Sequence, residues 1–160
     1  MKLGELQLNP RHLINGRWEI GTTTGVSTNP SDTREVVAEY ARADRNQTEL
    51  AVRAAADALP SWSQSTPQRC ADVLDLIGSE LLARKDELGA LLAREEGKTR
   101  PEGIGEVMRA GQIFKFFAGE CLRLSGELLP SVRPNIGVEI TREPVGVVGL
   151  ITPWNFPIAI

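Results

Sequence analysis

The 160-residue chain is 41% hydrophobic and 24% charged, with a formal net charge of -3. This balance is typical of a globular domain with enough apolar material for a core, and it favours neither nucleic acid nor an anionic membrane surface as a partner. The longest aliphatic run, residues 145–151, is far shorter than the roughly 20 residues of a membrane span. Residues 1–13 contain no continuous apolar stretch, so we expect no secretory signal.

Histidine and cysteine usage limits the chemistry further. His12 is the only histidine, so these residues offer neither a multi-histidine metal site nor a Ser-His-Asp triad, and we predict no metal site. Cys70 and Cys121 lack CxxC spacing. We therefore expect a reduced, cytoplasmic protein.

The N-terminal third is predicted to be a small layer of antiparallel strands. Asn15-Gly16 supplies the positive φ angles of a tight hairpin over residues 13–18. Residues 28–32 form a turn cluster, and residues 36–41 have the β propensity of a strand.

A three-helix segment is predicted next. The first helix begins near Asn46, and Pro60 is expected to end or kink it. The second begins at Thr66, restarts midway and stops at Gly97. The third begins near Pro101. One buried stripe with 3,4,3,4,3 spacing runs along it, and its small members would allow a neighbour to approach closely: Ile104, Val107, Gly111, Phe114, Ala118 and Cys121.

The C-terminal part changes to a period of two. Val138, Ile140 and Arg142 alternate with polar residues, which predicts a half-exposed strand. Residues 145–151 are apolar on both faces, which is typical of a central parallel strand. Because such a strand needs partners, we predict an α/β fold that is incomplete within this chain.

Residues 152–157 follow that strand, at the edge where open α/β sheets bind ligands. Pro153 and Pro157 restrict the loop, and Pro157 is expected in the first turn of a following helix. The neutral amide of Asn155 suits a developing oxyanion, because its dipole is in place before charge appears. The alternative is that Asn155 is a turn or cap residue and Trp154 belongs to the core.

Residues 143–157, Glu-Pro-Val-Gly-Val-Val-Gly-Leu-Ile-Thr-Pro-Trp-Asn-Phe-Pro, resemble the signature segment of the aldehyde dehydrogenase superfamily. Similarity extends to residues 14–18, 29–30, 96–98 and 126–127 and to the helix ending at Trp62. The resemblance implies a Rossmann-like cofactor domain, a catalytic domain and a β-hairpin oligomerisation arm. It divides this chain into residues 1–125 (N-terminal part of the cofactor domain), 126–143 (part of the arm) and 144–160 (first Rossmann-like strand and active-site loop).

The resemblance also implies a mechanism. A cysteine thiolate attacks the aldehyde, Asn155 helps to hold the oxyanion, hydride passes to NAD or NADP, and a glutamate activates water to release the acid. The residues expected to line the cofactor are Ile151, Thr152, Pro153 and Trp154. Cys70 and Cys121 do not match the nucleophile, so we expect the nucleophile and base beyond Ile160 and an inactive chain on its own.

Finer assignments rest on the same resemblance. Residues 119–134 are most similar to 2-oxoglutarate semialdehyde (2,5-dioxopentanoate) dehydrogenases, which implies that substrate. Residues 131–142 match part of the arm, which implies a homo-oligomer; the alternative is an ordinary edge strand. Thr28 and Glu95 match positions that bind a monovalent cation in some relatives; the alternative is a turn residue and a solvated charge.

Two other functions stay open at this point. The chain could be a non-catalytic binding or assembly module of the same ancestry, which would need no nucleophile. It could also be a truncated product without a role, in which case the apolar segment 145–151 would make it prone to aggregation.

Overall fold

The computed structural model describes residues 10–160, so most of the stretch in which we expect no secretory signal lies outside the described residues. Four strands come first, then four helices, then two short strands. The first strands are β1 (His12–Ile14), β2 (Arg17–Glu19), β3 (Thr23–Asn29) and β4 (Asp32–Arg42). The helices are α1 (Arg45–Ser63), α2 (Pro67–Ala83), α3 (Lys85–Glu96) and α4 (Arg100–Cys121). The last strands are β5 (Glu127–Pro130) and β6 (Gly137–Ile140).

The strands pair as antiparallel hairpins, β1 with β2, β3 with β4 and β5 with β6. Asn15 and Gly16 have φ angles of 50° and 73° in the first turn, which confirms the predicted hairpin. The predicted strand at 36–41 lies within the longer β4, whose pairing with β3 shifts register after Ser27. The antiparallel N-terminal layer is therefore present as two separate hairpins.

The helical segment contains four helices where three were predicted, because α2 and α3 separate at Arg84. Helix α1 is capped by Asp44, whose Oδ1 accepts from the Gln47 amide at 2.8 Å, so the predicted start at Asn46 is two residues late. It also continues through Pro60 to Ser63, so of the two effects predicted for Pro60, an end or a kink, the end is wrong. A proline in the last turn removes only one backbone hydrogen bond. No helix of the described residues is long and apolar enough to cross a membrane.

The core lies where α4 packs between α2 and α3. Val107 is fully buried, and the rest of the predicted α4 stripe is buried or half-buried. A Cβ on Gly78 would lie 2.8 Å from the Gly111 carbonyl oxygen, so α2 and α4 touch backbone to backbone. The predicted close approach at Gly111 is confirmed. On the other side, a Cβ on Gly89 would lie 2.6 Å from the Ile104 Cα, so α3 approaches α4 equally closely.

Residues 145–151, called here the open segment, differ from the prediction. They form no strand, and Val145, Leu150 and Ile151 are 91%, 85% and 100% exposed. Residues 145–151 are therefore neither buried nor a strand, contrary to that part of the prediction, whereas a sheet left incomplete within this chain is what the sequence predicts. The physical reason is that a strand needs hydrogen-bonding neighbours, and among residues 10–160 every strand pair is an antiparallel hairpin located elsewhere.

The hairpin β5–β6 is also more open than predicted. Every residue of both strands is exposed, whereas the alternating pattern of Val138 and Ile140 predicts a strand with one covered face. Pairing with β5 satisfies one edge of β6, but no other described helix or strand packs extensively on the hairpin.

The close approach of α3 and α4 gives a stability test. A Cβ at Gly103 would overlap the Gly89 carbonyl oxygen, whereas one at Gly105 would meet nothing within 4 Å. Gly103→Ala is expected to lower the free energy of unfolding by about 1–3 kcal/mol, because backbone must move. Gly105→Ala, the matched control on the same helix, is expected to raise it by roughly 0.5–1 kcal/mol through helix propensity. Urea unfolding measures both, and equal effects of the two substitutions would contradict the packing described.

Candidate active site

The loop that carries Asn155 follows the open segment. Residues 154–159, called here the asparagine loop, form turns rather than the predicted start of a helix at Pro157. Asn155 is exposed, and its side-chain amide has no hydrogen-bond partner in the part of the chain that the structure describes. Trp154 is 88% exposed, so it is not the core residue of the alternative interpretation.

A buried group of charges lies beneath this loop. Helix α3 ends at Glu96, Gly97 caps it with a φ of 82°, and the chain turns so that Lys98 faces α4. The Lys98 Nζ lies 2.7 Å from Glu96 Oε2 and forms a short ion pair with Glu106, whose side chain is only 2% exposed. Glu96, Lys98 and Glu106 are called here the lysine cluster.

The lysine cluster holds the backbone of the asparagine loop. Lys98 Nζ donates to the carbonyl oxygen of Asn155 at 3.2 Å. The amide of Ile158 donates to Glu106 Oε1 at 3.0 Å. Lys98 Nζ also lies 4.9 Å from the centroid of the Phe156 ring, within the range of a cation–π contact. Two charged side chains therefore fix the loop at two points three residues apart.

Electrostatics keep the lysine charged. Burial by itself would lower the pKa of Lys98, but its contacts with the carboxylates of Glu106 and Glu96 outweigh burial and raise that pKa above the ordinary value. One turn before Glu106 on α4 lies Glu102, whose carboxylate accepts from the Thr99 hydroxyl at 2.7 Å and from the Thr99 backbone amide at 2.8 Å. These two bonds lower the pKa of Glu102.

A cleft of about 420 Å³ separates α4 from the asparagine loop. Its lining residues come from the lysine cluster, the outer face of α4 and the loop: Glu96, Lys98, Glu102, Gly105, Glu106, Arg109, Asn155, Phe156 and Ala159. Asn155 is the lining residue that combines exposure with an unbonded neutral donor. Chemically, such a donor can hydrogen-bond a carbonyl oxygen and continue to do so as the oxygen becomes negative.

The other predicted site residues are less tightly grouped. Ile151, Thr152 and Pro153 precede the asparagine loop and Trp154 is its first residue, but none of the four lines the cleft. Thr28 lies on β3 and Glu95 near the end of α3, both exposed. Within residues 10–160, no three His, Cys, Asp or Glu side chains group in a way that could hold a metal ion.

Sequence reasoning missed the lysine cluster. Gly97 predicts the end of a helix and residues 96–98 add to the family resemblance, but neither pattern indicates that Lys98 and Glu106 form an ion pair in the interior. One signal was available: Glu106 lies three residues after Gly103 and four before Ala110, two small residues of the buried α4 face. A carboxylate on the buried face of a helix is expected to pair with a positively charged side chain.

The cluster predicts a stability change that depends on pH. Lys98→Met leaves Glu106 buried without its cation, and we expect a loss of about 3 kcal/mol at neutral pH, the lower end for a broken buried ion pair. Because the pKa of Lys98 is raised by folding, its contribution is complete below the ordinary lysine pKa and lost as the pH rises through the raised pKa. The difference between wild type and variant in urea unfolding should therefore be constant near neutrality and shrink in strong alkali.

Lys115→Met is the matched control. Lys115 pairs with Asp75 on α2, and their side chains are 37% and 57% exposed. Its loss should be below about 1 kcal/mol, as for exposed pairs. Equal losses in the free energy of unfolding for the two lysine variants would contradict the claim that Lys98 compensates a buried charge.

The chain is similar in sequence to proteins of known family. Residues 19–160 match the sequence pattern of the Aldehyde dehydrogenase family. The alpha-ketoglutarate semialdehyde dehydrogenase of Haloferax volcanii is 43% identical over 153 residues, which are 94% of this chain and 32% of that protein. The alpha-ketoglutaric semialdehyde dehydrogenase of Bacillus subtilis is 36% identical over 152 residues, which are 93% of this chain and 31% of that protein.

Solved structures agree with the sequence comparison. A double mutant of betaine aldehyde dehydrogenase from Staphylococcus aureus, in complex with NAD+, superposes with a TM-score of 0.90 at 31% identity. The match covers 99% of this chain and 32% of that one. The chain therefore spans about a third of the length of the relatives it matches. The match to the family pattern over most of its length shows that the chain belongs to the aldehyde dehydrogenase family.

Proposed function

We propose that this chain supplies the oxyanion-stabilising amide of an NAD- or NADP-dependent aldehyde dehydrogenase that oxidises an aldehyde to a carboxylic acid. The observation that carries the proposal is the amide of Asn155, which is exposed beside a cleft and has no hydrogen-bond partner within residues 10–160. An amide bonded into the protein interior could not serve an incoming carbonyl oxygen. A free one beside a cleft is available to it.

The role of Asn155 follows from charge development. When a thiolate adds to an aldehyde carbon, the carbonyl π electrons move to the oxygen, which becomes an alkoxide. A fixed N–H donor stabilises that charge without reorganising, because the dipole already points at the oxygen. The amide does not titrate near neutral pH, so it neither loses its proton to the oxygen nor competes as a base.

The nucleophile and the general base are assigned to residues outside these 160. The family resemblance implies a cysteine thiolate and a glutamate in those roles, and neither cysteine of this chain matches the former. Cys70 is half-buried on α2, and Cys121 is half-buried at the end of α4. Half-buried thiols on packed helices are ordinary small apolar residues.

The chain also has residues that fit a dinucleotide. Ile151 is fully exposed and Trp154 is 88% exposed, so two large apolar side chains are uncovered, one before the asparagine loop and one at its first residue. Such side chains suit the flat faces of a nicotinamide nucleotide, and Ile151, Thr152, Pro153 and Trp154 are proposed to line it. When bound, NAD or NADP accepts the hydride from the substrate carbon. The proposal is supported by the NAD+ complex of the similar betaine aldehyde dehydrogenase.

The proposed substrate is 2-oxoglutarate semialdehyde. Both curated relatives described above carry the name of a dehydrogenase for this semialdehyde.

A homo-oligomer is also proposed, since Leu128 on β5 is 81% exposed and Val132, in the turn between β5 and β6, is fully exposed. Uncovered apolar side chains on a hairpin are suited to packing on a second subunit. We also propose that the protein is cytoplasmic and that its two cysteines are reduced.

The decisive experiment uses the complete reading frame that carries these residues. The product is assayed with NAD+ and NADP+ on 2-oxoglutarate semialdehyde and on short aldehydes that lack a carboxylate. Asn155→Ala is expected to lower kcat about 10²–10³-fold, the usual effect of losing one oxyanion donor. Asn46→Ala, an exposed asparagine of α1, is the control and should leave kcat unchanged. Wild-type kcat in Asn155→Ala would overturn the proposal.

The 160-residue chain by itself should show no turnover with NAD+ and aldehydes. The proposal places the nucleophile outside it, so the amide has no covalent adduct to stabilise. Turnover above background in the same assay would overturn that assignment. Specific association with a longer subunit, combined with an inactive complete product, would favour the non-catalytic assembly module instead.

A further inference from the structure

We propose that Lys98 and Glu106 are positioning residues of the dehydrogenase reaction, which hold the Asn155 amide in place by clamping the loop that carries it. The inference rests on the proposed function of Asn155 and adds residues to it. Both side chains border the cleft, but the role inferred for them is exercised through the loop backbone and not through a contact with substrate or cofactor. Each acts through the backbone of residues 155–158.

The clamp acts on two backbone atoms, one of the catalytic residue itself and one three residues after it. Lys98 Nζ donates to the carbonyl oxygen of Asn155 itself, at 3.2 Å. Glu106 Oε1 accepts the amide proton of Ile158, at 3.0 Å. Because the Asn155 amide makes no hydrogen bond to residues 10–160, its position depends on its own rotamer and on this backbone. A loop with no helix or strand hydrogen bonds needs such external contacts to keep one conformation.

The placement of the charges supports a positioning role over a purely stabilising one. The side chains of Lys98 and Glu106 are 13% and 2% exposed. A buried ion pair is weak evidence for stability, because apolar residues of similar volume often stabilise a fold as well or better. What apolar residues cannot supply is a directed hydrogen bond to a carbonyl oxygen on one side and to an amide on the other. The cluster supplies both.

The elements that carry the clamp are themselves fixed. Lys98 follows the left-handed cap at Gly97, and Glu106 lies one turn after Gly103, where α4 touches α3 backbone to backbone. Contacts between rigid backbones leave little freedom to the side chains that project from them. A displacement of about 1 Å at a reacting group can cost roughly 100-fold in rate, so a clamp of this kind has a measurable effect.

A double-mutant cycle in the complete enzyme tests the clamp. Lys98→Met is expected to lower kcat about tenfold to 100-fold with little change in the KM for NAD+. In an Asn155→Ala background the same substitution should lower kcat less than about threefold, because the group it positions is absent. The thermal unfolding midpoint should fall equally in both backgrounds. An equal fall of kcat in both backgrounds would show that Lys98 acts without Asn155 and would overturn the inference.

Two further variants protect the test from a folding failure. Lys98→Met with Glu106→Gln removes both charges of the more deeply buried pair, so that only the carboxylate of Glu96, whose side chain is 20% exposed, loses its cation. The loss of kcat in this double variant should depend on Asn155 in the same way. Lys98→Arg keeps the charge and donors and should recover at least part of the lost kcat. Lys115→Met is the control, since its partners Asp75 and Ser79 lie on α2, and it should leave kcat unchanged.

Amide hydrogen exchange gives a reading that needs no activity. In Glu106→Ala the amide of Ile158 loses its acceptor, and its exchange should accelerate about tenfold or more, while amides of α2 stay as in the wild type. Unchanged exchange at residues 155–158 would overturn the clamp and leave the proposed role of Asn155 intact. Full activity of Asn155→Ala, by contrast, would overturn the proposed function and the catalytic purpose of the clamp together.

Discussion

The ammonium group of Lys98, held between the carboxylates of Glu96 and Glu106, is the interaction on which the candidate site depends. It joins the end of α3, the second turn of α4 and the asparagine loop. The loop contains no helix or strand, so without the Lys98 ammonium its backbone would lose the hydrogen bond at the Asn155 carbonyl oxygen. A local electrostatic contact thereby determines where a neutral amide can meet a carbonyl oxygen.

Close helix packing makes that contact possible. Glycines at 78, 89, 103 and 111 let the three helices α2, α3 and α4 approach until backbones touch. Within this layer the fully buried side chain is Val107, next in sequence to the carboxylate of Glu106. The small residues thus allow the carboxylate of Glu106 to lie away from water, where a charge is stable only if it is paired. The lysine that pairs it arrives from the turn after Gly97.

The sequence was informative wherever structure is decided locally. The Asn15-Gly16 turn and the Gly97 stop follow from backbone conformations that few residues adopt. The Thr66 cap follows from a side-chain oxygen that accepts from the Arg69 backbone amide, and the α4 stripe follows from its period. The open segment could not be predicted in the same way, because pairing depends on neighbouring strands rather than on its own residues. For the site, the sequence pointed to Asn155 but not to Lys98 or Glu106, since only tertiary packing shows which charges leave the solvent.

The central claim is that the Asn155 amide faces the oxygen of a reacting aldehyde. The most direct measurement is a crystal structure of the complete enzyme with an aldehyde adduct trapped on its nucleophile. We expect Asn155 Nδ2 about 2.7–3.1 Å from the adduct oxygen, with the Lys98 contact to the Asn155 carbonyl retained. An adduct oxygen bonded only to other groups, with the Asn155 amide directed away from it, would contradict the account.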